Sequence, residues 1–173
     1  MDLDNISFFE QFRLAENPST PVDILRGLAK GGNVRVRKRV ASNPSTPEDV
    51  LRGLVKDRSL YVRKRVAINP STPVDVLRAL AQDRNWQVRW GVAINPSTPV
   101  DVLRALAQDE EEVVRWRVAK NPKSSSKILV SLFEYEKSLR KPDEDVIKVL
   151  YAHNNLPAFA KRVIETLFGK WVL

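Results

Sequence analysis

An asparagine-proline dipeptide returns at one fixed interval through most of this chain. Asn17-Pro18, Asn43-Pro44, Asn69-Pro70, Asn95-Pro96 and Asn121-Pro122 each follow the last by 26 residues. A period of this size belongs to solenoids, where each unit buries its apolar face against its neighbours and a repeated surface does the binding. The unit reads N-P-S-T-P-x-D-[VI]-L-R-x-L-[AV]-x-[DG]-x-x-x-x-V-R-x-x-V-A-x, with copies at residues 17–42, 43–68, 69–94 and 95–120. The third and fourth copies agree at 20 of 26 positions, and every difference falls in the second half. That distribution fits a duplication whose second halves diverged first.

Each first half predicts a short helix. Thr20, Thr46, Thr72 and Thr98 stand where an N-cap is expected, with Pro21, Pro47, Pro73 and Pro99 at the first helical position. Asp23, Asp49, Asp75 and Asp101 then give a capping-box-like T-x-x-D near the positive helix end. Ile24, Leu25, Leu28 and Ala29 form an apolar stripe at helical spacing, repeated by Val50, Leu51, Leu54 and Val55. Each second half predicts another helix, with Val36, Val40 and Ala41 on one face and equivalents in the later copies. Its length and β-branched content leave α and 3₁₀ geometry both open. The residue before a proline avoids the α region, so Asn-Pro closes the unit.

These residues carry a resemblance. V-R-x-x-V-A-x-N-P-S-T-P-x-x-V-L-R-x-L-A resembles the leucine-rich repeat variant family, closely over residues 17–120 and in a degenerate copy beyond. The resemblance implies an all-α, right-handed α-solenoid in which an α-helix alternates with a short α or 3₁₀ helix. One detail is similar to HEAT repeats: Asp57, Asp83 and Asp109 each precede an arginine, Arg63, Arg89 or Arg115, by six residues. An iron–sulfur centre held by cysteines in one relative has no counterpart, because this chain has no cysteine. No cofactor is expected.

The expected organisation is one domain over residues 1–173. Residues 1–16 form an N-terminal half-repeat cap, 17–120 the four regular repeats, and 121–173 a degenerate repeat with a C-terminal helical cap. In the last segment Ile128, Leu129, Leu132 and Phe133 continue the first-helix stripe, and Lys123-Ser124-Ser125 replaces the Ser-Thr-Pro cap. Residues 134–142 read as a polar insertion, followed by helices from about Asp143 to His153 and from Pro157 through Phe168. No apolar run approaches the ~18 residues of a membrane span. The acidic start, Met1-Asp2-Leu3-Asp4, lacks the order of a signal peptide. With zero cysteines, a cytoplasmic monomer is the expectation.

Net charge is +8, and its placement is informative. Residues 31–42 carry +4, 57–68 carry +3, 83–94 carry +1 and 109–120 carry −1, while the first-helix segments 43–56, 69–82 and 95–108 are neutral. Positive charge is therefore graded along the second helices, opposite their valine face. By register one column runs Lys38, Lys64, Trp90, Trp116, a second Arg39, Arg65, Gly91, Arg117, and a third Arg35, Tyr61, Gln87, Val113. At ordinary helix spacing four copies make a strip on the order of 30 Å long. Arg37, Arg63, Arg89 and Arg115 do not vary and are expected to pair with nearby aspartates or helix ends, as buried arginines must. Arg26 and its equivalents are expected to pair with the aspartate three residues earlier. Trp86 takes the slot of Val34 and Leu60 and is expected to pack.

No nucleophile–base set, glycine-rich phosphate loop or metal-ligand spacing is present. His153, the single histidine, reads as a helix-end residue. HEAT-like alkylpurine DNA glycosylases are also basic solenoids, yet no motif here places such a site. The sequence therefore points to a non-enzymatic binding module that takes neither a membrane nor a small-molecule substrate. Its expected partner is an acidic macromolecule, captured by Arg35, Lys38, Arg39, Lys64, Arg65 and Arg117 and anchored by Tyr61, Trp90 and Trp116. Charge beside aromatics slightly favours nucleic acid. The habit of solenoids favours a protein-interaction scaffold with an acidic segment as ligand, and both readings stay open at this point.

Overall fold

The local rules just described produce helices of seven to nine residues, too short to persist alone, so their stability must come from packing. In a computed structural model, which describes residues 3–172, they are arranged in two compact units that divide between Ser97 and Thr98. Met1 and Asp2 of the expected N-terminal cap and Leu173 of the C-terminal cap lie outside the described residues. Among the described residues there are twelve α-helices and no strand.

The first unit opens with a 3₁₀ turn, Leu3–Asn5, and continues with α1 (Phe8–Glu16), α2 (Val22–Lys30), α3 (Val34–Ser42), α4 (Glu48–Leu54), α5 (Leu60–Ile68), α6 (Val74–Leu80) and α7 (Trp86–Ile94). The second helices α3, α5 and α7 pack side by side in a row that α1 extends, while α2, α4 and α6 pack against α3, α5 and α7. Helix α1 thus occupies the place of a second helix beside α3. All second helices are α, resolving the choice left open above. The core is the predicted one: Leu25, Leu51 and Leu77 from the first helices meet Val36, Val40, Val62, Val66, Val88 and Val92 from the second, all buried. Each such side chain contributes about 1.5–3 kcal/mol.

The threonines do not cap. The prolines themselves stand at the N-cap, without a side-chain cap bond, and the helices start one residue later. The Thr46 hydroxyl instead donates to the Val40 carbonyl at 2.5 Å, and Thr72 repeats this with Val66. It ties the end of one helix to the start of the next. The asparagines do more than stop a helix. Asn69 Nδ2 donates to the carbonyls of Ala41 (2.9 Å), at the end of α3, and of Asn43 (3.0 Å), which caps it. Its Oδ1 accepts from the Ser71 N–H at 2.9 Å, closing the turn. Asn43 does the same with Ala15 and Asn17, and Asn95 with Ala67 and Asn69.

The second unit comprises α8 (Val100–Leu106), α9 (Glu112–Lys120), α10 (Ser126–Ser138), α11 (Glu144–Ala152) and α12 (Ala158–Val172), with non-helical backbone angles at Phe168. Ile128, Leu129, Leu132 and Phe133 are buried as the stripe predicted. Ser124 substitutes for the threonine, donating to Val118 at 2.5 Å. The expected insertion begins later than residue 134, because α10 runs to Ser138 and keeps Glu136 fully buried. Helix α11 packs on α9 as a second helix would, and α12 packs on α11, burying Ala160 and Ile164 and leaving Phe159 and Leu167 exposed. His153 follows α11 in the asparagine position: its Nδ1 accepts from the Asn155 N–H at 3.0 Å, the bond Asn69 makes to Ser71. A ring nitrogen can accept only while unprotonated.

Two outcomes are expected. Asn69→Ala leaves the buried Ala41 carbonyl without a donor, while the Asn43 carbonyl keeps the Thr46 N–H, and should lower unfolding free energy by about 1–3 kcal/mol in urea titrations, whereas Asn17→Ala, at an exposed site, should cost under about 1 kcal/mol. Burial, and secondarily Lys161, hold the His153 pKa below its ordinary value. Its contribution is therefore complete above the unfolded histidine pKa of ~6.5 and lost as pH falls below it. Thermal melts should show stability falling as pH drops from about 7 through the lowered folded-state value, and His153→Asn should flatten that loss by restoring a group that accepts without titrating.

Candidate nucleic-acid or protein interface

One face of the second helices is held by buried ion pairs. Arg37 Nε lies 2.7 Å from Asp57, and Arg63 Nε 2.6 Å from Asp83, each reaching the next repeat. Their Nη1 atoms donate backwards to main-chain carbonyls, Arg37 to Gly31 and Gly32, and Arg63 to Asp57. The six-residue Asp–Arg spacing noted in the sequence is thus a side-chain-to-backbone contact, and the carboxylate partner lies 20 residues ahead. Burial pushes the Asp57 carboxyl up, but the Arg37 hydrogen bonds and the Ser59 N–H outweigh it and hold it below the usual carboxylate range. Asp83 is held down in the same way by Arg63 and Asn85 against the same opposing burial. In the second unit Arg115 Nε pairs at 2.5 Å with Glu136, whose other oxygen accepts from the Asp143 N–H.

The first-helix pairs differ in part from expectation. Arg26 contacts Asp23 at 3.0 Å as predicted, and also Asp49 of the next repeat at 2.9 Å. Arg52 pairs with Glu48 and Asp75 rather than with Asp49.

The opposite face carries the expected basic strip. On α3, Arg35 is exposed and Lys38 half-buried; on α5, Tyr61 is 61% exposed, Lys64 half-buried and Arg65 exposed. Arg35, Lys38 and Arg65 make no ion pair among the described residues. Arg39 is neutralised, 3.0 Å from Glu16, and its guanidinium covers the Phe12 ring at 4.7 Å. Lys64 Nζ sits 4.8 Å from the centre of the Trp90 ring, which brings these two neighbours of the first column together. Gly91 departs from the strip. It is buried between α5 and α7, and a Cβ there would lie 2.9 Å from that of Ala67. Glycine at this point lets the two helices approach closely. Trp86 does not pack as expected: it opens α7 and is 37% exposed. Trp116 and Arg117 lie on α9 in the second unit. Arg117 and Lys120 both stand over the Trp116 ring, at 4.6 and 4.0 Å.

Sequence reading stopped the columns at α3, and the structure extends them. Phe12 precedes Lys38 by 26 residues and Phe9 precedes Arg35 by 26, so both belong to the same columns, on α1. Carrying the register one copy backwards would have found them. Phe8, Phe9 and Phe12 form a cluster with ring centres 5.6–5.8 Å apart.

Residues 86–111 match the family model described as leucine rich repeat variant, which bears out the resemblance over one full period. Repeats of this kind are in general non-enzymatic, protein-binding modules. Comparison with curated proteins and with solved structures found no match. No helix among the described residues is long and apolar enough to cross a membrane.

Asp83→Asn would leave the buried Arg63 guanidinium without a counter-charge and should cost roughly 3–5 kcal/mol. Because the folded Asp83 pKa is depressed, its stabilisation is present above the unfolded carboxyl pKa of ~3.9 and is lost as pH falls through the folded value. Acid titration followed by circular dichroism should therefore show wild type and variant converging below about pH 4.

Proposed function

We propose that this chain is a repeat module that binds an extended acidic protein segment along the face formed by α1, α3, α5 and α7. One observation carries the reading: on that face Arg35, Lys38 and Arg65 are free of ion pairs while the arginines of the opposite face are all committed to the fold. Charge that braces nothing is available to a ligand. Exposed Tyr61 and the phenylalanines of α1 add apolar area beside it. In the second unit Arg117 and Lys120 set two cations over the Trp116 ring.

A protein ligand fits better than nucleic acid on the state of the tryptophans. Base stacking needs an open aromatic face. Trp90 is half-buried with Lys64 over its ring, and Trp116 is half-buried with two cations over its own. These rings hold cations in place for a carboxylate rather than offering a bare platform.

The test is fluorescence anisotropy with a labelled peptide of alternating acidic and aromatic residues, beside single-stranded RNA, single-stranded DNA and duplex DNA, at about 50 and 200 mM salt. The peptide should bind, and Lys64→Glu should weaken it by about tenfold, equivalent to ~1.4 kcal/mol, mostly by slowing association. Nucleic acid bound more tightly than the peptide, with a steep log-linear salt slope, would replace this reading with the nucleic-acid one.

A further inference from the structure

At the start of the basic face a cleft of about 350 Å³ opens between α1 and α3. Its walls are Phe8, Phe9 and Phe12 on one side and Arg35, Lys38 and Arg39 on the other. The volume lies at the low end of the range for sites that hold a small group, roughly 300–1,000 Å³. Phe9 is 81% exposed, the most exposed of the large apolar side chains among the described residues, on a surface where the equivalent positions of the next two repeats carry arginine and tyrosine. Helix α1 meets its packing needs without it: Ala15 is the buried residue, and Phe12 is covered by Arg39. Arg39 is fixed in turn by Glu16, so it forms a wall. Arg35 and Lys38, which make no ion pair, are the cations left facing a ligand.

We propose that this cleft is the anchor point of the binding face: it receives one aromatic side chain of the acidic segment, while Arg35 and Lys38 take the carboxylates on either side of it. The proposal rests on the reading that the face binds an acidic protein segment, and it adds what that segment must contain. Apolar walls accept the ring, edge-to-face contact with Phe8 and Phe9 orients it, and the rim charges exclude a ring flanked by basic residues. Charge complementarity selects this occupant: a second copy of this chain, itself at +8, would bring cations to cations.

The experiment is a double-mutant cycle read by anisotropy. The probes are two labelled peptides, Asp-Glu-Asp-Phe-Asp-Glu-Asp and the same peptide with alanine for phenylalanine. Wild type should prefer the phenylalanine peptide by tenfold or more. Phe9→Ser, an exposed change that leaves the packing of α1 intact, should abolish that preference, and Lys64→Glu should weaken both peptides alike. Equal affinity of wild type for the two peptides would overturn the anchor and leave the acidic-segment reading standing. Failure of both peptides to bind would overturn both. Light scattering on the same proteins supplies the remaining outcome. Self-association lost in Phe9→Ser, with peptide preference unchanged, would make a second copy the occupant and overturn the proposal.

Discussion

The first unit depends on a buried primary amide. The last carbonyls of a helix have no partner within it, and burial makes each one costly. In α3 and α5 the carbonyls of Ala41 and Ala67 are in that position, and each is satisfied by the asparagine that ends the following second helix, Asn69 after α5 and Asn95 after α7. The same side chain also binds the main chain of the previous asparagine and closes its own turn. Two donors and one acceptor are needed at once, at the reach of a single methylene. Aspartate has no donor, and glutamine is longer by one carbon. The fixed spacing of asparagine through the sequence is therefore the spacing at which one second helix is latched to the next. The proline after it holds the chain out of the helix while the latch is made.

A second ladder runs beside the first, and its exceptions show how it works. Arg37 and Arg63 each find a carboxylate in the following repeat, so an aspartate is useful there only where the preceding repeat supplies an arginine. On α1 the arginine position is Gln11, which binds the Leu3 carbonyl instead. The residue that would have answered an arginine there is Gly31, not aspartate. After the last arginine, Arg115, the longer α10 presents Glu136, fully buried, in place of the aspartate. The ladder starts and stops where its partners do, as expected of a buried charge that cannot stand alone.

Periodicity was enough to identify the helices, their buried faces and the row they form, because apolar spacing encodes a face directly. It was not enough for polar partners. Thr46 looks like a cap because a cap is the nearest use for a hydroxyl before a helix, yet its acceptor is Val40, in the helix before. The arginine–aspartate spacing of six residues looked like a pair, while the geometry pairs residues 20 apart. Both errors come from ranking partners by sequence distance in a fold where repeats meet across a turn. Gly91 was placed on the surface because its column is otherwise basic, although one missing side chain lets α7 settle onto Ala67. Trp86, read from its aliphatic equivalents, is exposed as Val34 is, because the slot opens the helix. Within the candidate site the cationic residues are legible, and the aromatic end on α1 is not, because residues 1–16 read as the terminal half-repeat of the solenoid rather than as part of its binding columns.

Because both ladders use the inner side of the second helices, the outer side is released from structural duty. This explains how lysine, tryptophan and tyrosine alternate there while the valines and arginines behind them do not change. It also limits what the charges can do. Arg39 is already paired with Glu16 and Lys64 already lies on Trp90, so only a few cations face solvent unopposed. Exposed charges are screened over a Debye length of about 8 Å at physiological ionic strength, and such groups speed encounter more than they prolong it. Residence time has to come from apolar area that leaves water on binding. On this face that area is concentrated on Tyr61 and on the phenylalanines of α1. A division of labour follows, in which the charge of α3 and α5 gathers an acidic segment and the aromatic end of the row holds it.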